Sequence, residues 1–169
     1  MARLNRRRLV FGLYLIVLVA LAELAAGYLK LPGWPAFVAL ILFFIEHMDV
    51  KKVPAILLGA LVGVAFVLLA PSAIAFLGRF LGPAWGQLAY ILLAVYLIVA
   101  FGEMLPLFFN NYAFLYLTVC GLALETPNPN PYLWAVVAAL GGALLIGGAM
   151  LIGKIVGGHA AATPAHQPG

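Results

Sequence analysis

Asn110 and Asn111 stand side by side after Phe108 and Phe109, at the head of an apolar run that continues through Phe114 and Thr118. On a helix, Asn110, Phe114, Thr118 and Gly121 fall within about 80° of arc, with Asn111 at its edge. Amide, ring and hydroxyl would then line one stripe. Unpaired amides in hydrocarbon are costly, so the pair must face protein or water. Glu103 lies just upstream, in a break bracketed by Gly102 and Pro106. The expected solute pathway is therefore Asn110, Asn111, Phe108, Phe109, Phe114, Thr118 and Glu103. The competing reading is hydrogen bonding between helices, worth only about 0.6 to 2 kcal/mol.

Carboxylates and an imidazole supply the second chemistry. Glu23 stands two thirds of the way along an apolar run, where a charged side chain costs at least about 2.5 to 3.5 kcal/mol. It shares a helix face with Gly12, Ile16, Val19, Ala26 and Gly27, narrow enough to pack against another helix. Either it couples ions, or it is tied to Lys30 or to tyrosine hydroxyls. Glu46, His47 and Asp49 end another run beside Lys51 and Lys52. Histidine titrates near neutral pH, so this group could form a proton-linked gate or hold a cation. The alternative is a solvated helix end with cations beside its last carbonyls. One histidine with two acids makes a weak metal signature, and no metal or other cofactor is expected. No catalytic residue is expected either: the sole serine, Ser72, lies at a different depth from His47, and a serine–histidine pair must meet. The clustered arginines are confined to the N-terminus.

These groups sit in a chain of 169 residues, 66% hydrophobic and 8% charged, where a soluble domain carries about a quarter charged residues. That shortfall excludes a water-soluble globule and nucleic-acid binding as a main activity. The lone Cys120 excludes a disulfide scaffold. The expectation is an all-α integral membrane protein, with one transmembrane domain over residues 1–157 and a disordered cytoplasmic tail over 158–169. Measured against the roughly 20 residues a crossing needs, the apolar runs give about six transmembrane helices: 9–29, 34–47, 53–70, 87–102, 106–124 and 132–154. Pro71 is expected to stop the third. Residues 72–82, which carry Arg79, are then left as one short interfacial or re-entrant segment. Trp34, Tyr90, Tyr132 and Trp134 fall near span ends and read as interfacial anchors. Arg3, Arg6, Arg7, Arg8, Lys51, Lys52 and Lys154 share one side of this arrangement, and Lys30 and Arg79 the other. By the positive-inside rule, both termini of a multi-pass inner-membrane protein face the cytoplasm.

Gly59 and Gly63 make a G-x-x-x-G motif, and the last run is glycine-rich through Gly141, Gly142, Gly147, Gly148 and Gly153. Such positions let backbones approach closely. Helices packed so tightly enclose no wide pore alone, so the pathway is narrow or shared within a homo-oligomer.

The run LPLFFNN resembles the L-P-F-N helix start of bacterial urea transporters, and LLGALVGVAF resembles their G-x-L-V-G-x-A segment. The chain would correspond to about one of their two repeats. That resemblance implies a channel or facilitator for a small polar solute, a urea-like amide. Phe108 and Phe109 would flank the planar amide and Asn110 or Asn111 would hydrogen-bond it. In size and motif order the chain also resembles a family of small bacterial inner-membrane proteins, which implies a fold and no chemistry. A proton- or cation-coupled small transporter and a non-transporting accessory subunit are the alternatives.

Overall fold

The computed structural model describes residues 6–158. Among these, the chain forms α1 (Arg6–Tyr28), α2 (Trp34–Ile45), α3 (Val53–Leu81), α4 (Pro83–Gly102), α5 (Asn111–Ala123) and a long α6. Helix α6 runs without interruption through Pro131–Val136, a π-helical turn at Val137–Gly141, and Gly142–Gly158. The described residues contain no strand. The all-α expectation holds, and four helices (α1, α3, α4 and α6) are long and apolar enough to cross a membrane. The expected tail lies outside the described residues from 159 onward, and Gly158 itself ends α6.

Local chemistry sets the helix starts. Prolines occupy the first turns of α2, α3, α4 and α6, where a missing N–H removes no helical bond. Asn110 and Asn130 cap α5 and α6 with their side-chain oxygens.

Two expectations are corrected here. Pro71 does not end the third helix, so residues 72–81 are the last turns of α3 and not a separate interfacial or re-entrant segment. A proline inside a membrane helix forfeits one backbone bond, and packed neighbours can re-satisfy the freed groups. The carbonyl that Pro71 leaves without its helical donor is that of Val67, four residues back, and one position earlier the Tyr90 hydroxyl of α4 donates to the Phe66 carbonyl. The helix stops instead at Gly82, whose φ of 87° ordinary residues adopt only under strain. At 1.5 Å per residue, its 29 residues span about 44 Å, so they overrun a hydrocarbon core of about 30 Å. The fifth helix likewise begins later than expected: residues 106–110 form turns, and the first helical residue is Asn111.

Helices α2 and α5, of 12 and 13 residues, reach only about 18 and 20 Å. The order long, short, long thus occurs twice. In each half the first two helices pack mainly on the third helix of the other half: α4 and α5 on α3, α1 and α2 on α6. Gly59 meets Asn110 and Tyr112 while Gly63 meets Ala113 and Tyr116, so α5 runs parallel to α3. Gly141 and Gly142 meet Ala36 and Ala39, and Gly153 meets Met48, so α2 runs parallel to α6. Where the two short helices cross, Tyr116 donates to the Pro35 carbonyl at the start of α2 over 2.6 Å. Tyr112, one turn earlier in α5, faces Glu46 at the end of α2. Corresponding short helices therefore run in opposite directions, and the two halves form an inverted pair.

This arrangement brings Arg7 and Arg8 beside Gly153 and Gly157, with Met48 against Gly153. Arg6, Lys51, Lys52 and Lys154 are neighbours of these positions in sequence, so the described residues of the larger basic set gather at one end. Lys30 follows the far end of α1, and Arg79 lies in the last turn of α3. The centre is solid, with Tyr116, Phe43, Ile56, Ile146 and Val64 almost wholly enclosed.

Candidate functional site

Asn110 does not face a pathway from a helix stripe. As the N-cap of α5, its side-chain oxygen accepts from the Tyr112 and Ala113 N–H groups at 3.0 and 3.1 Å. Its amide nitrogen donates to the carbonyls of Pro106 and Leu107, and to that of Ala55 on α3 at 3.2 Å. The amide is consumed in starting α5 and fastening it to α3. Gly59 makes this possible, because a Cβ there would lie 2.4 Å from the Asn110 oxygen. At Gly63 a Cβ would meet the Ala113 carbonyl at 2.5 Å and the Tyr116 Cβ at 2.6 Å. The G-x-x-x-G motif is thus the α3–α5 seam within one chain.

The remaining expected residues separate. Phe109 packs on Phe101 and Phe66, with ring centres 5.5 and 6.5 Å away. Phe108, Asn111 and Glu103 are exposed around the turns that lead into α5. Phe114, Thr118 and Gly121 do come together, lining a cleft of about 380 Å³ between α3, α4 and α5. Thr118 donates to the Phe114 carbonyl at 3.0 Å, which leaves its oxygen lone pairs available to a donor in the cleft. Gln87 and Tyr90 of α4 line the same space. The sequence reading missed Gln87 and took Tyr90 for an interfacial anchor. Tyr90 is instead buried, as is Trp134, which packs edge-on against Trp34 with ring centres 5.4 Å apart. A glutamine amide three residues from the Tyr90 anchor position was the available signal.

The expected gate group divides as well. Asp49 accepts from the Lys51 N–H at 2.9 Å and caps the short turn Val50–Lys52. His47 is exposed, with a left-handed φ of 54°. Glu46 is half-buried and turns toward Tyr112. No group of three metal-ligating side chains exists among the described residues. Glu23 lies apart from all of these, beside Gly33 at the α1–α2 junction; a Cβ on Gly33 would sit 2.8 Å from its carboxylate oxygen.

Fold and site together define an all-α membrane protein of two interleaved, oppositely directed three-helix halves. Residues 12–154 match the family described as a protein of unknown function, DUF1097, and the chain belongs to that family. No curated protein and no solved structure matches the chain.

Proposed function

We propose that this protein is an inner-membrane channel or facilitator for a small, uncharged polar solute, with a urea-like amide as the favoured class. The observation that carries this reading is the α3–α4–α5 cleft, where Phe114, Thr118 and Gly121 meet Gln87 and Tyr90. An apolar wall with a few converging polar groups is the usual form of a small-molecule site. The Gln87 amide can both donate and accept, and the Thr118 oxygen accepts, which matches a planar solute bearing N–H and C=O groups. Inverted halves with short central helices add support, because transporter sites cluster at such repeat interfaces. The basic residues gathered at the end shared by α1 and α6 favour both termini in the cytoplasm. The working unit in this proposal is a homo-oligomer in the lipid bilayer, since the solid centre leaves a narrow route through one chain.

Proteoliposomes tested by stopped-flow light scattering with urea, formamide and acetamide gradients should relax faster than empty vesicles. Equal rates for all three amides with and without protein would leave the accessory-subunit reading. A coupled carrier is favoured by a different observation, Glu46 beside Tyr112 where α2 and α5 cross. It predicts pH-dependent flux that Glu46→Gln or Glu103→Gln removes, whereas a neutral-solute facilitator keeps its rate in both variants.

A further inference from the structure

The α3–α4–α5 cleft has a counterpart with different chemistry on the other side of the molecule. Helices α1, α2 and α6 enclose a cleft of about 420 Å³, large enough for a drug-sized ligand. All of its lining residues are apolar, and small ones such as Ala22, Ala25, Ala26, Ala36 and Gly141 give it its room. Gly33 also lines it, and against Gly33 rests the carboxylate oxygen of Glu23. Glu23 is exposed and is not itself a lining residue; its carboxylate reaches the edge of this otherwise apolar space at Gly33.

Among the described residues, no hydrogen bond or ion pair reaches this carboxylate. Helix α1 also holds itself loosely, with no buried residue along its length. A carboxylate within a spanning segment calls for a cationic partner. A bare metal ion does not fit, because hard cations need several oxygen ligands and the cleft offers a single carboxylate beside hydrocarbon walls. A dication would leave one charge unmatched.

We infer that the α1–α2–α6 cleft binds an amphipathic organic monocation, whose apolar body fills the space between the helices while Glu23 supplies the counter-charge. This site is separate from the amide cleft and does not depend on it.

The full chain in nanodiscs of phosphatidylcholine and phosphatidylglycerol, with empty nanodiscs subtracted, provides the test. Tetraphenylphosphonium should bind saturably at about one per protomer, and tetraphenylborate, of the same shape and opposite charge, at least about tenfold more weakly. Glu23→Gln should weaken tetraphenylphosphonium about tenfold. Ala26→Phe should weaken it by filling the cleft with the carboxylate in place. Melting temperatures of both variants report whether they fold, and Thr118→Leu should leave this binding unchanged. Equal binding of the two probes, or undiminished binding to Glu23→Gln, would overturn the inference by reducing the site to an uncharged crevice. Displacement of the probe by added phosphatidylethanolamine would also overturn it, by assigning the site to a lipid ammonium.

Discussion

The seam between α3 and α5 and the seam between α1 and α6 are both built on glycines, yet they differ in what they do with polar groups. Along the first, Gly59 and Gly63 bring backbone against backbone, and Asn110 is wedged so closely that both faces of its amide are spent on five partners. Along the second, the nearest neighbour of Gly148 is the flexible end of the Leu18 side chain, and a cleft remains beside it. There Glu23 has no partner among the described residues. Close backbone packing consumes polar side chains as structure. Loose packing leaves them free to meet something else.

Gly63→Ala should separate the two seams most strongly. Its new methyl would collide with α5 backbone that cannot swing aside, so the loss should approach about 3 kcal/mol, read as a lower melting temperature in detergent. Asn110→Ala comes next at about 2 to 3 kcal/mol, through loss of a helix cap and of the bond to Ala55. Asn110→Asp should recover part of it, because a carboxylate still accepts from Tyr112 and Ala113. Tyr116→Phe removes only the bond to Pro35 and should cost about 1 kcal/mol. Gly148→Ala should cost the least, under about 1 kcal/mol, since Leu18 can change rotamer. Equal losses for Gly63→Ala and Gly148→Ala would erase the distinction between the seams.

Much of the architecture was legible because bilayer thickness disciplines the sequence. The six apolar runs and the shortness of the second follow from counting residues against a fixed hydrocarbon depth. Pro71 was misleading because a proline's local signal is the same whether it ends a helix or rides within one. What differs is the packing of α3 against other helices, α4 and α5 above all, which no local spacing shows. Asn110 was misleading for a subtler reason. Its role turned on whether the helix starts at 106 or 111, and only at 111 does the side chain fold back to cap it. Phe114, Thr118 and Gly121 were legible as a stripe because they are interior to α5, where the helical period holds. Gln87 was not, since its partners belong to α3 and α5 and no spacing in sequence reveals them. The inverted halves were hidden too, because they repeat a pattern of helix lengths and contacts and not a pattern of residues.

In the proposed function, polar groups in the tight seam hold the fold while those along the α3–α4–α5 cleft meet solute. Measuring melting temperature and urea flux per folded molecule in the same proteoliposome preparations of Asn110→Asp and Thr118→Leu tests it most directly. Asn110→Asp should melt earlier yet conduct within about twofold of the parent, and Thr118→Leu should melt normally yet conduct about tenfold less. The reverse pattern, with flux lost in a stable Asn110→Asp and kept in Thr118→Leu, would contradict it.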